Sequence, residues 1–117
     1  MKKYLILLGL LLSTLGCYAD EKPSFPGGTE ALQKYLSANT KYPQNAIDNG
    51  VEGIVTVGFI VTVDGALREI KVVRFVDPDL EKEAIRIVTA MPAWIPAEKN
   101  GIPFEAPSNV EVPFILE

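Results

Sequence analysis

The sequence has 117 residues, 48% of them hydrophobic and 22% charged, a composition typical of a single globular domain. It contains no histidine and a single cysteine, Cys17, so it lacks the commonest general base and metal ligand and cannot form an internal disulfide. Its net charge is −4 and it has no basic stripe, which argues against nucleic acid as a partner.

Residues 1–19 have the layout of a signal peptide. Lys2 and Lys3 precede an apolar run over residues 4–12, and small residues follow. As an uncleaved helix, residues 4–19 would span about 24 Å, short of the ~30 Å hydrocarbon core of a bilayer. The pattern therefore favours a cleaved signal over a retained membrane anchor.

Two processing sites compete within this segment. Cys17 and Ala19 are the small residues expected before a cut at Asp20, which would release a soluble domain. The stretch "STLGC" also resembles a bacterial lipoprotein signal, in which Cys17 becomes the lipidated first residue and anchors the domain. The sequence leaves both forms open, and removal of residues 1–19 would take away two lysines and leave a net charge of −6.

The beginning of the domain is predicted to be helical. Residues 20–28 contain prolines and glycines and are interpreted as a lead-in segment, with the domain itself spanning residues 29–117. Thr29 is a plausible N-cap for a first helix, whose apolar face comprises Leu32, Tyr35 and Leu36. Pro43 ends that helix and begins a second, short helical stretch over residues 43–50.

A β-hairpin is predicted next. Residues 53–63 are rich in β-branched side chains with alternating faces, and residues 66–76 form the return strand. Asp64 and Gly65 between them have the composition of a two-residue hairpin turn.

The spacing of the apolar residues then changes to that of a helix and afterwards returns to that of a strand. Asp77 is expected as N-cap with Pro78 at the first helical position. One apolar stripe follows, formed by Leu80, Ala84, Ile87, Val88 and Met91. After Pro92, a final strand is predicted over residues 109–117. The order of elements predicts an α+β fold, in which a small antiparallel three-stranded sheet of order 2-1-3 carries two helices packed on one face.

Catalytic groups are scarce, and no enzyme is predicted. The serines outside the signal, Ser24, Ser37 and Ser108, belong to no nucleophile motif. The acidic cluster of Asp77, Asp79, Glu81 and Glu83 could be imagined as a calcium or acid/base site. Acidic residues at a helix start are more simply explained by the helix dipole, and no cofactor is expected.

Trp94 lies between Pro92 and Pro96, where the chain returns from the helix to the sheet. We expect the indole to fill the gap between helix end and sheet, with the prolines restricting the backbone on both sides. The alternative is an exposed tryptophan that stacks on a ligand.

An ordered set of short motifs resembles the C-terminal domain of the TonB energy-transducer family. The matching residues are Tyr42-Pro43, Ala46, Gly50, Gly53, Asp64-Gly65, Leu80, Ala84, Trp94-x-Pro96 and Gly101-x-Pro103, followed by "VEVPFIL". The lead-in "FPGG" at 25–28 is also similar to that of many members. The resemblance implies a periplasmic module that binds a short extended peptide of a TonB-dependent outer-membrane receptor by β-strand addition.

The same resemblance implies where the partner would bind. The segment before and including the Tyr-Pro motif corresponds to Asn39, Thr40, Lys41 and Tyr42. The edge of the last strand would supply backbone groups of Val110, Glu111, Val112, Phe114 and Ile115, which are expected to be unpaired. Contact with inner-membrane motor proteins and formation of a homodimer stay open.

Two features depart from the family pattern. The signal meets the domain with no proline-rich spacer between them, and Pro113 removes one backbone donor from the last strand. Two functions are therefore carried forward: a binding module in TonB-dependent transport, and a stand-alone exported interaction or assembly domain with the same fold.

Overall fold

A computed structural model describes residues 20–117; residues 1–19, with the predicted signal peptide and Cys17, lie outside the described residues. Within this range the helices are α1 (Gly28–Asn39), α2 (Gln44–Asp48) and α3 (Pro78–Thr89). The strands are β1 (Gly53–Val61), β2 (Leu67–Arg74), β3 (Ala97–Lys99), β4 (Ile102–Phe104) and β5 (Ala106–Phe114).

The central sheet is antiparallel with strand order β2-β1-β5, which confirms the predicted order. One face of this sheet is the core, because alternate side chains of a strand point to the same side. On β1 and β5 the buried hydrophobic residues are Val55, Val57, Phe59, Val61, Val110, Val112 and Phe114.

The turn of the β1–β2 hairpin differs from the prediction. Thr62 N–H donates to Ala66 O and Gly65 N–H donates to Thr62 O (both 2.9 Å), so the loop contains the three residues 63–65. Only Gly65 has a positive φ (89°), as in a type I turn followed by a glycine in the left-handed region. The predicted two-residue turn at Asp64 and Gly65 is wrong, because the loop also includes Val63.

Helix α3 covers the core face of the sheet. Asp77 is its N-cap, as predicted, and its side chain accepts from the backbone N–H groups of Asp79 (3.0 Å) and Leu80 (3.2 Å). The predicted apolar stripe is buried at Leu80, Ala84, Ile87 and Val88. The helix ends at Thr89 rather than at Met91, which still packs against the core.

Helix α1 begins at Gly28, with Gly27 rather than Thr29 at the N-cap and no side-chain capping bond. In the preceding turn, Gly28 N–H donates to Phe25 O (2.8 Å). Gly27 in this turn has a positive φ of 90°, which glycine tolerates. Leu36 reaches the core, and the Tyr35 hydroxyl donates to Ile87 O (2.8 Å). Helix α1 is therefore held against α3.

The lead-in segment is integrated with the rest of the structure. Glu21 exchanges two backbone hydrogen bonds with Glu98 on β3, and Ser24 exchanges two with Ile95. The Phe25 side chain, 7% exposed, belongs to the hydrophobic core. Residues 20–25 thus run as an extended segment beside β3.

Trp94 is buried, 6% exposed, in an aromatic cluster. Its ring makes edge contacts with Phe59 (centroids 5.0 Å apart) and Phe25 (5.9 Å). Its backbone N–H donates to Gly65 O (2.9 Å), and a Cβ on Gly65 would lie 2.2 Å from Trp94 O. The hairpin turn therefore packs directly on the tryptophan backbone, and only glycine fits there.

The β3–β4 hairpin was not predicted. It turns at Asn100 and Gly101, both with positive φ (54° and 80°), and positions β5 by delivering the chain to Ala106. None of the helices described here is long and apolar enough to cross a membrane.

Candidate interaction edge

Strand β5 lies at one edge of the central sheet. It pairs with β1 at nine consecutive positions, from Ala106 opposite Val61 to Phe114 opposite Gly53, without a register shift. No strand in the described range pairs with its other side. An unpaired edge of this kind presents backbone groups to a partner strand.

The register determines which β5 backbone groups are free. Because Thr62 N–H bonds to Ala66 O, Thr62 directs its backbone groups toward β2, and so does every second residue before it in β1. The intervening β1 residues face β5, where their partners include Val110, Val112 and Phe114. The backbone groups of these three residues are therefore turned toward β1, and the prediction that they are unpaired is wrong.

The outward-facing residues of β5 are the alternate set: Pro107, Asn109, Glu111 and Pro113. Proline has no N–H group, so only Asn109 and Glu111 offer outward donors, whereas all four offer carbonyl groups. Ile115 lies beyond the end of β5 and is exposed. Of the five edge residues expected from the sequence, Glu111 is the one that lies on β5 and also points outward.

A groove follows this edge. Its first part, ≈ 490 Å³, lies between residues 20–23 and the start of β5. A middle part of ≈ 230 Å³ is lined by Phe25, Trp94 and Asn109 among others. The last part, ≈ 430 Å³, lies between α1 and the second half of β5. The first and middle parts share Pro23, Ser108 and Asn109, and the middle and last parts share Leu32 and Asn109; the three adjoining parts are here called the β5 groove.

The wall opposite β5 is formed by the lead-in segment and α1. Leu32, Gln33 and Leu36 line the α1 part of the groove. Phe25 fixes this wall through ring contacts with Tyr35 (centroids 5.5 Å apart) and with Trp94. The indole nitrogen of Trp94 is buried with no hydrogen-bond partner among the described residues.

A family model matches residues 38–116; its description is "Gram-negative bacterial TonB protein C-terminal". The chain belongs to this family. The match begins at the last residues of α1, so nearly all of the wall opposite β5 lies before the matched range of this TonB C-terminal domain.

Solved structures agree on the fold. The chain is similar to two NMR solution structures of the Helicobacter pylori TonB C-terminal domain, a longer and a shorter fragment. In both cases the identity is 24%, the TM-score is 0.55, and 73% of this chain is covered. The match covers 77% of the longer fragment and 89% of the shorter one. No curated protein matches the sequence.

The other predicted contact segment, Asn39 to Tyr42, lies outside the β5 groove. Lys41 N–H donates to the Glu83 carboxylate (2.7 Å), and Asn39 O accepts from Arg86 (2.9 Å), which ties the segment to α3. The Asn39 side chain donates to Tyr35 O (2.8 Å), and Thr40 N–H donates to Leu36 O (3.0 Å). These groups already have partners within the domain.

Tyr42 connects this segment to the end of β5. Its ring packs edge-on against Phe114 (centroids 5.5 Å apart), and its hydroxyl donates to Val51 O. Burial raises the pKa of the Tyr42 hydroxyl, and the Glu52 carboxylate adds to the rise. Of the four residues of this segment, Tyr42 is therefore the one in contact with a β5 side chain.

A charge pair holds Asn39 and Lys41 in place. The Glu83 carboxylate accepts two hydrogen bonds from Arg86 (2.8 and 2.7 Å), and these bonds lower the pKa of Glu83. The same pair raises the pKa of Arg86. The pair thus fixes the C-terminal end of α1 relative to α3.

The acidic cluster at the start of α3 has structural roles. Asp77 caps the helix, Glu81 accepts from Val76 N–H (2.7 Å), and Glu83 pairs with Arg86. Among residues 20–117, no group of three or more carboxylates comes together as a metal site. Three of the four carboxylates, those of Asp77, Glu81 and Glu83, thus accept hydrogen bonds within the domain.

Sequence reasoning missed the groove because it treated residues 20–28 only as a lead-in. Two signals were available. Phe25 is a large aromatic residue in an otherwise polar, proline-containing stretch, and Leu32 lies with Leu36 on the apolar stripe of α1. The outward position of Asn109 required the register, which a single strand pattern does not give.

Proposed function

We propose that this domain binds an extended peptide of a TonB-dependent outer-membrane receptor by strand addition to β5, in the periplasm. The observation that carries the proposal is the β5 edge itself. It is regular over nine positions, it has outward donors at Asn109 and Glu111, and it borders the β5 groove. Membership of the TonB C-terminal family supports the receptor as the partner.

Strand addition explains why no side-chain motif marks the site. Main-chain hydrogen bonds supply the affinity, and the outward carbonyl and N–H groups of Asn109 and Glu111 would pair with the peptide backbone. The flanking prolines keep their carbonyl groups outward and contribute as acceptors only. A partner strand would thus be the fourth strand of the sheet, next to β5.

The test is a matched pair of variants at Asn109. Asn109→Pro removes one outward donor while leaving the β1–β5 bonds in place, and Asn109→Ala removes only the side chain. Each immobilised variant is incubated with detergent-solubilised outer-membrane proteins, and captured proteins are identified by mass spectrometry. We expect the wild type and Asn109→Ala to retain a TonB-dependent receptor, and Asn109→Pro to lose it.

Retention of the receptor by folded Asn109→Pro would contradict strand addition at β5. Failure of the wild type to capture any such receptor would contradict the transport role and leave the alternative of a stand-alone exported assembly domain. Circular dichroism melting of all three proteins establishes that each is folded under the conditions of capture.

Export and processing are part of the same proposal. We expect cleavage before Cys17 or before Asp20, the former adding lipid to Cys17. Intact-mass analysis of the protein recovered from the cell envelope distinguishes the two products, and an unprocessed N-terminus contradicts both. If Cys17 is lipidated, Cys17→Ser should move the domain to the soluble periplasmic fraction.

A further inference from the structure

The two sides of the β5 groove differ in chemistry. On the core side of the sheet, the groove is lined by Leu32, Leu36 and Val110. On the outer side it is lined by Glu111, Ile54 and Pro113, with the Glu111 side chain exposed to solvent. A strand lying in this groove has side chains that alternate between these two environments.

We infer that the β5 groove selects peptides with the pattern apolar–basic–apolar opposite Val110, Glu111 and Val112, and that α1 is the selecting wall. This inference rests on the proposed strand addition and adds the chemistry of the peptide. The partner is thus a short extended segment with two apolar side chains separated by one lysine or arginine.

The apolar positions follow from the core side. Residues directly opposite each other in paired strands point to the same face of the sheet, so peptide residues opposite Val110 and Val112 would face α1. On that face Leu32 and Leu36 line the groove together with Val110. Burial against these leucines favours apolar side chains at both peptide positions.

The basic position follows from the outer side. A peptide residue opposite Glu111 points to the same face as its carboxylate, and opposite charges in such pairs are favourable whereas like charges are not. The excess of acidic over basic residues in the sequence adds a general preference for cationic peptides.

The prolines limit the length of the paired segment. Outward donors occur only at Asn109 and Glu111, and Pro107 and Pro113 stand on either side of them. Pairing is therefore confined to the peptide residues opposite 107–113. Because the α1 wall precedes the residues matched by the family model, the selection of apolar side chains by Leu32 and Leu36 involves a part of the chain that the match does not cover, whereas Glu111 lies within the matched range.

The experiment uses three synthetic heptapeptides with blocked ends, which differ only at the three central positions. The central residues are Val-Lys-Val, Val-Glu-Val or Thr-Lys-Thr, with two threonines on either side. Binding is followed by ¹⁵N-edited NMR of the domain spanning residues 20–117. We expect shifts at the Asn109 and Glu111 amides and the tightest binding for Val-Lys-Val.

Variants separate the two determinants. Glu111→Lys should reverse the preference between the lysine and glutamate peptides, by up to about fivefold in each direction. Gln33→Leu enlarges the apolar wall at an exposed position and should strengthen binding of both valine peptides. Ala38→Leu, exposed on the same helix but about 140° around it from Gln33 and outside the groove lining, is the matched control and should change nothing.

The outcomes distinguish this inference from the proposed function. Shifts at Asn109 and Glu111 with equal affinity for the three peptides, unchanged by Glu111→Lys and Gln33→Leu, would overturn the selectivity and leave strand addition intact. Peptide-induced shifts confined to residues away from β5 would overturn both.

Discussion

The two edge strands of the central sheet, β5 and β2, differ in regularity. β5 pairs with β1 without interruption, whereas the β1–β2 pairing has two register shifts, one of them near Glu69, whose φ is 55°. Extra residues of this kind bend a strand and increase its twist, which makes it a poor template for another strand. The β2 edge is thus protected against pairing with another strand, whereas the β5 edge is regular.

The side chains reinforce this difference. β2 carries Arg68, Glu69, Lys71 and Arg74, and Arg68 pairs with both Glu69 and Glu105 (2.6 Å to the latter). These contacts raise the pKa of Arg68, with the Glu105 hydrogen bond as the largest cause. On β5, Glu111 is the single charged residue. Charged side chains on an edge oppose unwanted pairing, so a partner strand is expected at β5 and not at β2.

A substitution that disrupts β5 itself should lower the stability of the domain most. Val110 is buried and directs its N–H group toward β1, so Val110→Pro removes both packing and a ladder bond. We expect a loss of about 3–6 kcal/mol in the free energy of unfolding, the range from side-chain burial and one unmade buried hydrogen bond. Urea denaturation measures it. The neighbouring Asn109→Pro should cost far less, and equal destabilisation of the two would refute the assigned alternation of β5.

The next effect concerns the wall that faces β5 and has no counterpart at β2. Trp94→Ala should destabilise the domain by about 3–5 kcal/mol, because it empties the centre of the aromatic cluster. Trp94→Phe should cost much less, since the indole N–H has no partner to lose. Thermal melting compares the two, and near-native melting of Trp94→Ala would show that the indole does not anchor the core.

The Glu83–Arg86 ion pair should have a smaller effect, which depends on pH. The pKa of Glu83 is lowered in the folded state, so its contribution is present above its ordinary value near 4.5 and is lost as the pH falls through the lowered value. We expect the Glu83–Arg86 pair to contribute no more than about 1 kcal/mol. Glu83→Gln should remove that part of the acid-induced loss of stability. An identical pH profile for wild type and variant between pH 3 and 6 would contradict this role.

The smallest change in stability is expected for a substitution on the protected β2 edge. Arg68→Ala removes an exposed charge network and should change the free energy of unfolding by less than about 1 kcal/mol. Receptor capture should be unchanged, since the proposed binding edge is β5 and not β2. Loss of capture by this variant would indicate that the partner binds at β2 rather than at β5.

The sheet order, the β1–β2 hairpin and α3 could be predicted from the sequence because their patterns are strong and local. Strand alternation gave the core face of β1, and Asp77 with Pro78 gave the start of α3. The β3–β4 hairpin was missed although Asn100-Gly101 is a good turn signal, because its strands have only three residues each and no clear alternation.

The candidate site could be predicted only in part. That β5 is an edge follows from the element order, and Glu111 was expected there. Which backbone groups point outward depends on the register between two distant segments. Without that register, the backbone groups of Val110 were predicted to be unpaired, whereas they face β1. The position of α1 beside β5 depends on tertiary contacts such as Tyr35 with Ile87, which no local pattern encodes.

The prolines at 107 and 113 have a mechanical consequence. Tension along a strand loads its antiparallel hydrogen bonds together, because those bonds run perpendicular to the pull. The β1–β5 pairing extends over nine positions, whereas the outer side of β5 offers amide donors only at Asn109 and Glu111. A peptide pulled from this edge would therefore detach before β5 is drawn out of the sheet, so the domain would release its load and stay folded for another engagement.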